Sequence, residues 1–154
     1  MKTTVLSRFA MAALAGGLVL ATSACSLLTG PQYRDQSGQV TATASVATTA
    51  LQVGDCLLNV SDMSDQVGKV VVVPCADEHE AEVYAVGTKQ SNTKTALEQY
   101  CTDQFAPYIG IDFQDSTLEV TYIHSDSTST TTDVQCIVYD PGVMVTSTYK
   151  GSEQ

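Results

Sequence analysis

The chain has 154 residues, 17 acidic against 7 basic, a net charge of −10, 44% apolar residues and no tryptophan. That length carries one domain with a modest core rather than two. The charge excludes nucleic acid as a partner, because phosphate recognition needs a basic face, and suits a domain that stays soluble or meets neutral and cationic partners.

Lys2 and Arg8 precede an apolar stretch from Phe9 to Ala21, about 13 residues, well short of the about 20 that a spanning helix needs. This is the layout of a processed export signal. It closes on Thr22-Ser23-Ala24-Cys25, small residues before a cysteine, which resembles a bacterial lipobox. The resemblance implies a diacylglyceryl group on the Cys25 sulfur, acyl chains of the palmitate type, and cleavage just before Cys25. Residues 1–24 are then a lipoprotein signal peptide, and the mature chain is lipid-anchored on the extracytoplasmic face of the cell membrane. Two acyl chains hold firmly, since each buried methylene contributes roughly 0.8 kcal/mol. Thr22 stands where such signals usually carry Leu, so cleavage after Ala24 with free secretion is the alternative. Removing the leader takes two basic residues and no acidic ones, which brings the net charge to about −12.

Residues 25–50 are rich in Thr, Ala, Ser, Gln and Gly, including the run from Val40 to Ala50, and read as a disordered linker with a coil reach of roughly 25 to 30 Å. The domain is expected over residues 51–150. Its cysteines are Cys56, Cys75, Cys101 and Cys136, and an even number in an exported domain reads as two disulfides. Three pairings are possible. Cys56 with Cys75 and Cys101 with Cys136 is preferred, because the first pair brackets a hairpin and the second ties the helix to a late strand. Loops of this size would contribute roughly 3 to 4 kcal/mol each on the chain-entropy model. A zinc site is the competing reading, and the absence of a C-x-x-C spacing counts against it.

β-branched runs predict strands at Lys69–Cys75, Ala81–Thr88, Thr117–His124 and Val134–Tyr139, with shorter ones at Cys56–Val60 and Val143–Tyr149. Helical spacing is confined to one segment. Thr95-Ala-Leu-Glu98 reads as a capping box, Leu97, Cys101, Phe105 and Tyr108 make one apolar stripe, and Pro107 and Gly110 are expected to stop the helix. Gln114–Ser116 and the Ser/Thr tract Ser125–Asp133 read as turns. The order β-β-β-α-β-β with short connections predicts a small α+β fold, a mostly antiparallel sheet with one helix packed on it and two disulfides.

Val53-Gly-Asp-Cys-Leu57, then Val73-Pro-Cys-Ala-Asp-Glu-His-Glu-Ala-Glu-Val-Tyr84, then Tyr100-Cys101, then Val134-Gln-Cys-Ile-Val138 together resemble the septum formation domain family of actinobacterial envelope proteins. The pattern spans Val53 to Val138. It implies a link to cell division and brings no catalytic residue. The chain departs from it at Glu78, where relatives tend to have Pro, and in carrying the Ser/Thr tract in place of a Trp-x-x-Gly-x-Arg segment. An aromatic partner contact made there by relatives is therefore not expected here.

His79 and Glu82 are the polar residues singled out within the domain. His79 with Glu78, Glu80 or Glu82 could form a zinc or calcium-type shell. The competing and preferred assignment is a turn in which the His79 ring satisfies backbone groups. The cluster lacks the second histidine of a zinc-protease helix. Hydrolysis is not expected: there is no G-x-S-x-G, His124 has no marked nucleophile, the cysteines are expected in disulfides, and no phosphate loop occurs. With no tryptophan and few other aromatics the chain is poorly equipped to stack a sugar polymer. The expectation is a non-enzymatic lipoprotein without metal or cofactor, anchored to the lipid membrane through Cys25 and binding another envelope protein. The alternative is an envelope sensor that binds a small ligand or metal at His79 and its neighbouring carboxylates.

Overall fold

The computed structural model describes residues 33–58, 60, 68–125 and 131–154. The expected leader, Cys25, the start of the expected linker and the middle of the Ser/Thr tract lie outside the described residues.

Six strands form one sheet: β1 (Ala44–Ala47), β2 (Cys56–Leu58), β3 (Lys69–Val73), β4 (Ala81–Lys89), β5 (Glu119–His124) and β6 (Thr132–Tyr139). They lie side by side in the order β1-β3-β2-β4-β6-β5, and every neighbouring pair is antiparallel. One helix, α1 (Lys94–Ile109), crosses β4 and β5 on one face. This is the small α+β fold that the strand and helix spacing predicts.

Period-two alternation sorts the strand residues between two cores. On the helix side lie Val134, Cys136 and Val138 of β6 with Leu97, Cys101, Phe105, Tyr108 and Ile109 of α1. The opposite side gathers Val46, Leu57, Val70, Val72, Ala81, Val83, Ile123 and Ile137, a set drawn from all six strands. β4 and β6 are thus buried on both faces, and each fully buried aliphatic or aromatic side chain contributes roughly 1.5–3 kcal/mol. A β-bulge between Val83 and Ala85 interrupts the β4–β6 register. The extra residue there is Tyr84, so that Tyr84 and Ala85 both join the helix-side core. The Tyr84 hydroxyl donates to the Cys101 carbonyl at 2.7 Å.

Both disulfides are closed as preferred, Cys56–Cys75 between β2 and the end of β3, and Cys101–Cys136 between α1 and β6. Close approach of helix and sheet also depends on Gly87, where a Cβ would meet Tyr100 Cζ at 2.7 Å.

Four expectations need correction. The segment read as linker is ordered from Tyr33 onward: Arg34 bridges Val40, β1 pairs with β3, and Thr48–Ala50 form a 3-10 turn. Its small side chains gave no hydrophobic signal, yet Val46 is buried against Val70 and Val72, and pairing with β3 supplies the rest. The capping box at Thr95 is not used; the helix starts at Lys94 with Thr93 as N-cap, and no side chain caps it. Pro107 lies inside the last turn rather than ending it, and Gly110 at φ 104° makes the stop. Val143–Tyr149 forms no strand and keeps only the bridge between Val145 and His79.

The N-terminal segment is fastened by a buried ion pair. Arg34 Nη1 and Nη2 each lie 2.6 Å from an Asp55 carboxylate oxygen, and the two side chains are 7% and 4% exposed. Asp55 also accepts the Gln52 N–H at 2.8 Å, and Arg34 donates to the Gly38 carbonyl. Removing one partner strands a buried charge, so Arg34→Ala should lower unfolding free energy by about 3 kcal/mol, read by urea denaturation. A loss under about 1 kcal/mol would mean that this segment is not part of the cooperative fold.

Candidate functional site

Two neighbouring polar residues of the pattern that begins at Pro74 are brought into the interior. His79, fully buried, stands on the turn between β3 and β4. Its backbone exchanges two hydrogen bonds with Val145, each 2.9 Å. Its Nδ1 lies 2.8 Å from the Asp77 carbonyl, an acceptor only, so Nδ1 carries the hydrogen. The ring therefore satisfies a backbone group in the turn, as the preferred reading expects. Nε2 is buried and has no hydrogen-bond partner among the described residues. Glu78 is exposed, and Glu80 accepts the Val60 N–H at 2.7 Å.

Glu82, 1% exposed, lies opposite Cys56 in the β2–β4 register and on the helix side of the sheet. Three donors converge on its carboxylate: the Tyr108 hydroxyl at 2.5 Å, the Thr148 hydroxyl at 2.6 Å and the Tyr149 N–H at 2.6 Å. A buried carboxylate is tolerated only when its lone pairs are filled in this way. Burial and then the adjacent Glu82 hold the Tyr108 phenol well above its usual range, and burial does the same for Tyr84.

Among the described residues, the ligating atoms close enough to share one metal ion are those of Cys56, Cys75 and Glu82. Both sulfurs are bonded to each other, which removes their thiolate character. His79 is not one of that group, and Glu82 already accepts three hydrogen bonds. The structure thus brings His79 and Glu82 into the interior as fasteners for the C-terminal segment: His79 holds Val145, and Glu82 holds Thr148 and Tyr149. The sequence did not signal that use, because the partners lie 66 and 67 residues further on.

A concave region lies on the surface. It is a groove of about 580 Å³ lined by Val60, Glu80, Glu119, Thr121, Tyr139 and the loop from Asp140 to Met144. Val143 and Met144, adjacent on that loop, are 42% and 45% exposed. Sequence reasoning missed this groove, since its lining comes from four separate segments. No helix among the described residues is long and apolar enough to cross a membrane. No family model, curated protein or solved structure matches this chain.

Two outcomes are expected. Glu82→Leu leaves three donors facing an apolar side chain and should cost about 3 kcal/mol or more by chemical denaturation, whereas Tyr108→Phe should cost about 1–2. In alkali the signs are fixed by the raised tyrosines: their folded pKa exceeds the unfolded value of about 10, so their stabilising contribution is complete below that pH and is lost as pH rises above it. Urea midpoints should fall above about pH 10, and less steeply in Tyr84→Phe and Tyr108→Phe proteins.

Proposed function

We propose that the chain is a membrane-tethered extracytoplasmic lipoprotein whose disulfide-stapled domain recognises another envelope protein and catalyses no reaction. The observation that carries this reading is the pair of closed disulfides in the core, the chemistry of an oxidising compartment, in a chain that opens with an export-type segment ending at Cys25. The commitment of His79 and Glu82 to backbone and hydroxyl partners supports a recognition module over a cation sensor at His79. A sensor built on Glu82 would need that carboxylate to give up three donors. The likeness of the cysteine and Pro-Cys…His…Glu pattern to the septum formation family supports a place at the division site.

The anchored Arg34 shortens the tether. Arg34 is the ninth residue after Cys25, and a chain of that length spans at most about 30 Å. The domain then works close to the membrane, and tethering raises its effective concentration, so modest affinity suffices for recognition.

The test is the location of the full-length protein, carrying an export-competent fluorophore at its C-terminus, in growing cells beside a Cys25→Ala version. The expected result is peripheral signal enriched at midcell for the native sequence, with release from the envelope for Cys25→Ala. Uniform peripheral signal would remove the division link, and cytoplasmic signal or unchanged retention of Cys25→Ala would overturn the tether.

A further inference from the structure

Among the described residues β5 is a terminal strand of the sheet and pairs on one side only, with β6. The Ser125 N–H bonds the Asp133 carbonyl across the β5–β6 ladder. Bonded positions in an antiparallel ladder recur every two residues, so Glu119, Thr121 and Ile123 direct their backbone groups toward β6, and Val120 directs its amide outward. A strand edge of this kind is a template for another extended chain.

A groove flanks this edge on each face. On the helix side, about 340 Å³ are lined by Lys94, Glu98, Phe113, Val120 and Tyr122, with Lys94 and Glu98 paired at 3.6 Å. On the other side is the 580 Å³ groove, which holds the carboxylates of Glu80, Glu119 and Asp140 and no lysine or arginine. Among the described residues none of these three carboxylates has a cationic partner, since the ion pairs are Arg34–Asp55 and Lys94–Glu98. Thr121 lines both grooves. A strand laid along β5 would send alternate side chains into the two, one set toward an acidic lining and the next toward Phe113 and Val120.

From this geometry we infer that β5 is a strand-addition site for an extended basic segment of another protein, with Lys or Arg at alternate positions and apolar residues between them. The inference rests on the recognition reading above and names its surface and partner chemistry. Backbone bonds supply affinity in this mode, and the alternating grooves supply selectivity. A second copy of this chain fits poorly, because it would bring the same carboxylates and a net charge of −10 against their like.

The first probe is a fluorescein-labelled peptide of sequence Lys-Val-Lys-Val-Lys-Val-Lys, titrated with purified protein and followed by anisotropy. Saturable binding that weakens with salt is expected, with no binding of the Glu-Val counterpart. Glu119→Lys should weaken it at least about tenfold. Val120→Pro should abolish it, because proline is accepted on an edge where the N–H faces outward and blocks addition there. Ser45→Lys, on the exposed face of the opposite edge strand, should change nothing. Circular dichroism and urea midpoints establish that each variant is folded. Equal binding of the acidic peptide, or binding unmoved by both β5 variants, overturns the inference.

Photocrosslinking in cells separates this from failure of the recognition reading. A photoreactive residue at Thr121 should give an adduct whose linked peptide, by mass spectrometry, is basic and alternating. Adducts from probes elsewhere on the domain but not from Thr121, or adducts to a second copy of the chain, overturn the strand-addition site while leaving recognition standing. No adduct from any position overturns both.

Discussion

The fold depends on one buried carboxylate. Glu82 sits in the middle of the sheet, facing the helix, where an ionised group without donors would be untenable. Its three donors come from the last turns of α1 and from the C-terminal segment, so the carboxylate draws together elements that the backbone ladder alone leaves separate. The segment after Asp140 forms no strand, and its place over the sheet rests on Glu82, on the His79–Val145 bridge and on burial of Tyr149. The Cys56–Cys75 bridge lies beside the same carboxylate, so that redox state, burial and hydrogen bonding converge on one small region.

Around that point the sheet buries both of its faces. The helix covers one, clamped by Cys101–Cys136 and by Tyr84 over the Cys101 carbonyl. On the other face all six strands contribute to a single cluster, with Tyr33 and Val40 packed against it. The N-terminal segment is therefore structural, and the Arg34–Asp55 pair fastens it to the body of the domain.

Much of this was legible in the sequence. The β-branched runs at Lys69–Val73 and Val134–Tyr139, and the stripe Leu97, Cys101, Phe105 and Tyr108, encode burial directly. The disulfide pairing followed from where those elements fall. What stayed hidden has a common cause. β1 is built from Ala, Ser and Val, whose local preference is weak, and it becomes a strand because β3 offers an edge. Helix capping shifted by two residues because Thr93, preceding Lys94, takes the extended backbone of an N-cap without needing its hydroxyl. Val143–Tyr149 has strand composition, but the Val145 and Tyr149 amides and the Thr148 hydroxyl are bound by His79 and Glu82. Arg34 with Asp55 and Glu82 with Thr148 are partnerships across 21 and 66 residues, and no local pattern announces them. The β5 grooves escaped notice for the same reason, being assembled from segments far apart in the chain.

The proposed lipoprotein is tested most directly by its covalent state, which intact mass spectrometry of material extracted from the cell envelope reads in one spectrum. The expected result is a chain that begins at Cys25, carries a diacylglyceryl group and further acylation, and is lighter by four hydrogens for two closed disulfides. A chain that retains residues 1–24, one that begins at Cys25 without lipid, or one with free thiols at Cys56, Cys75, Cys101 or Cys136 would contradict it.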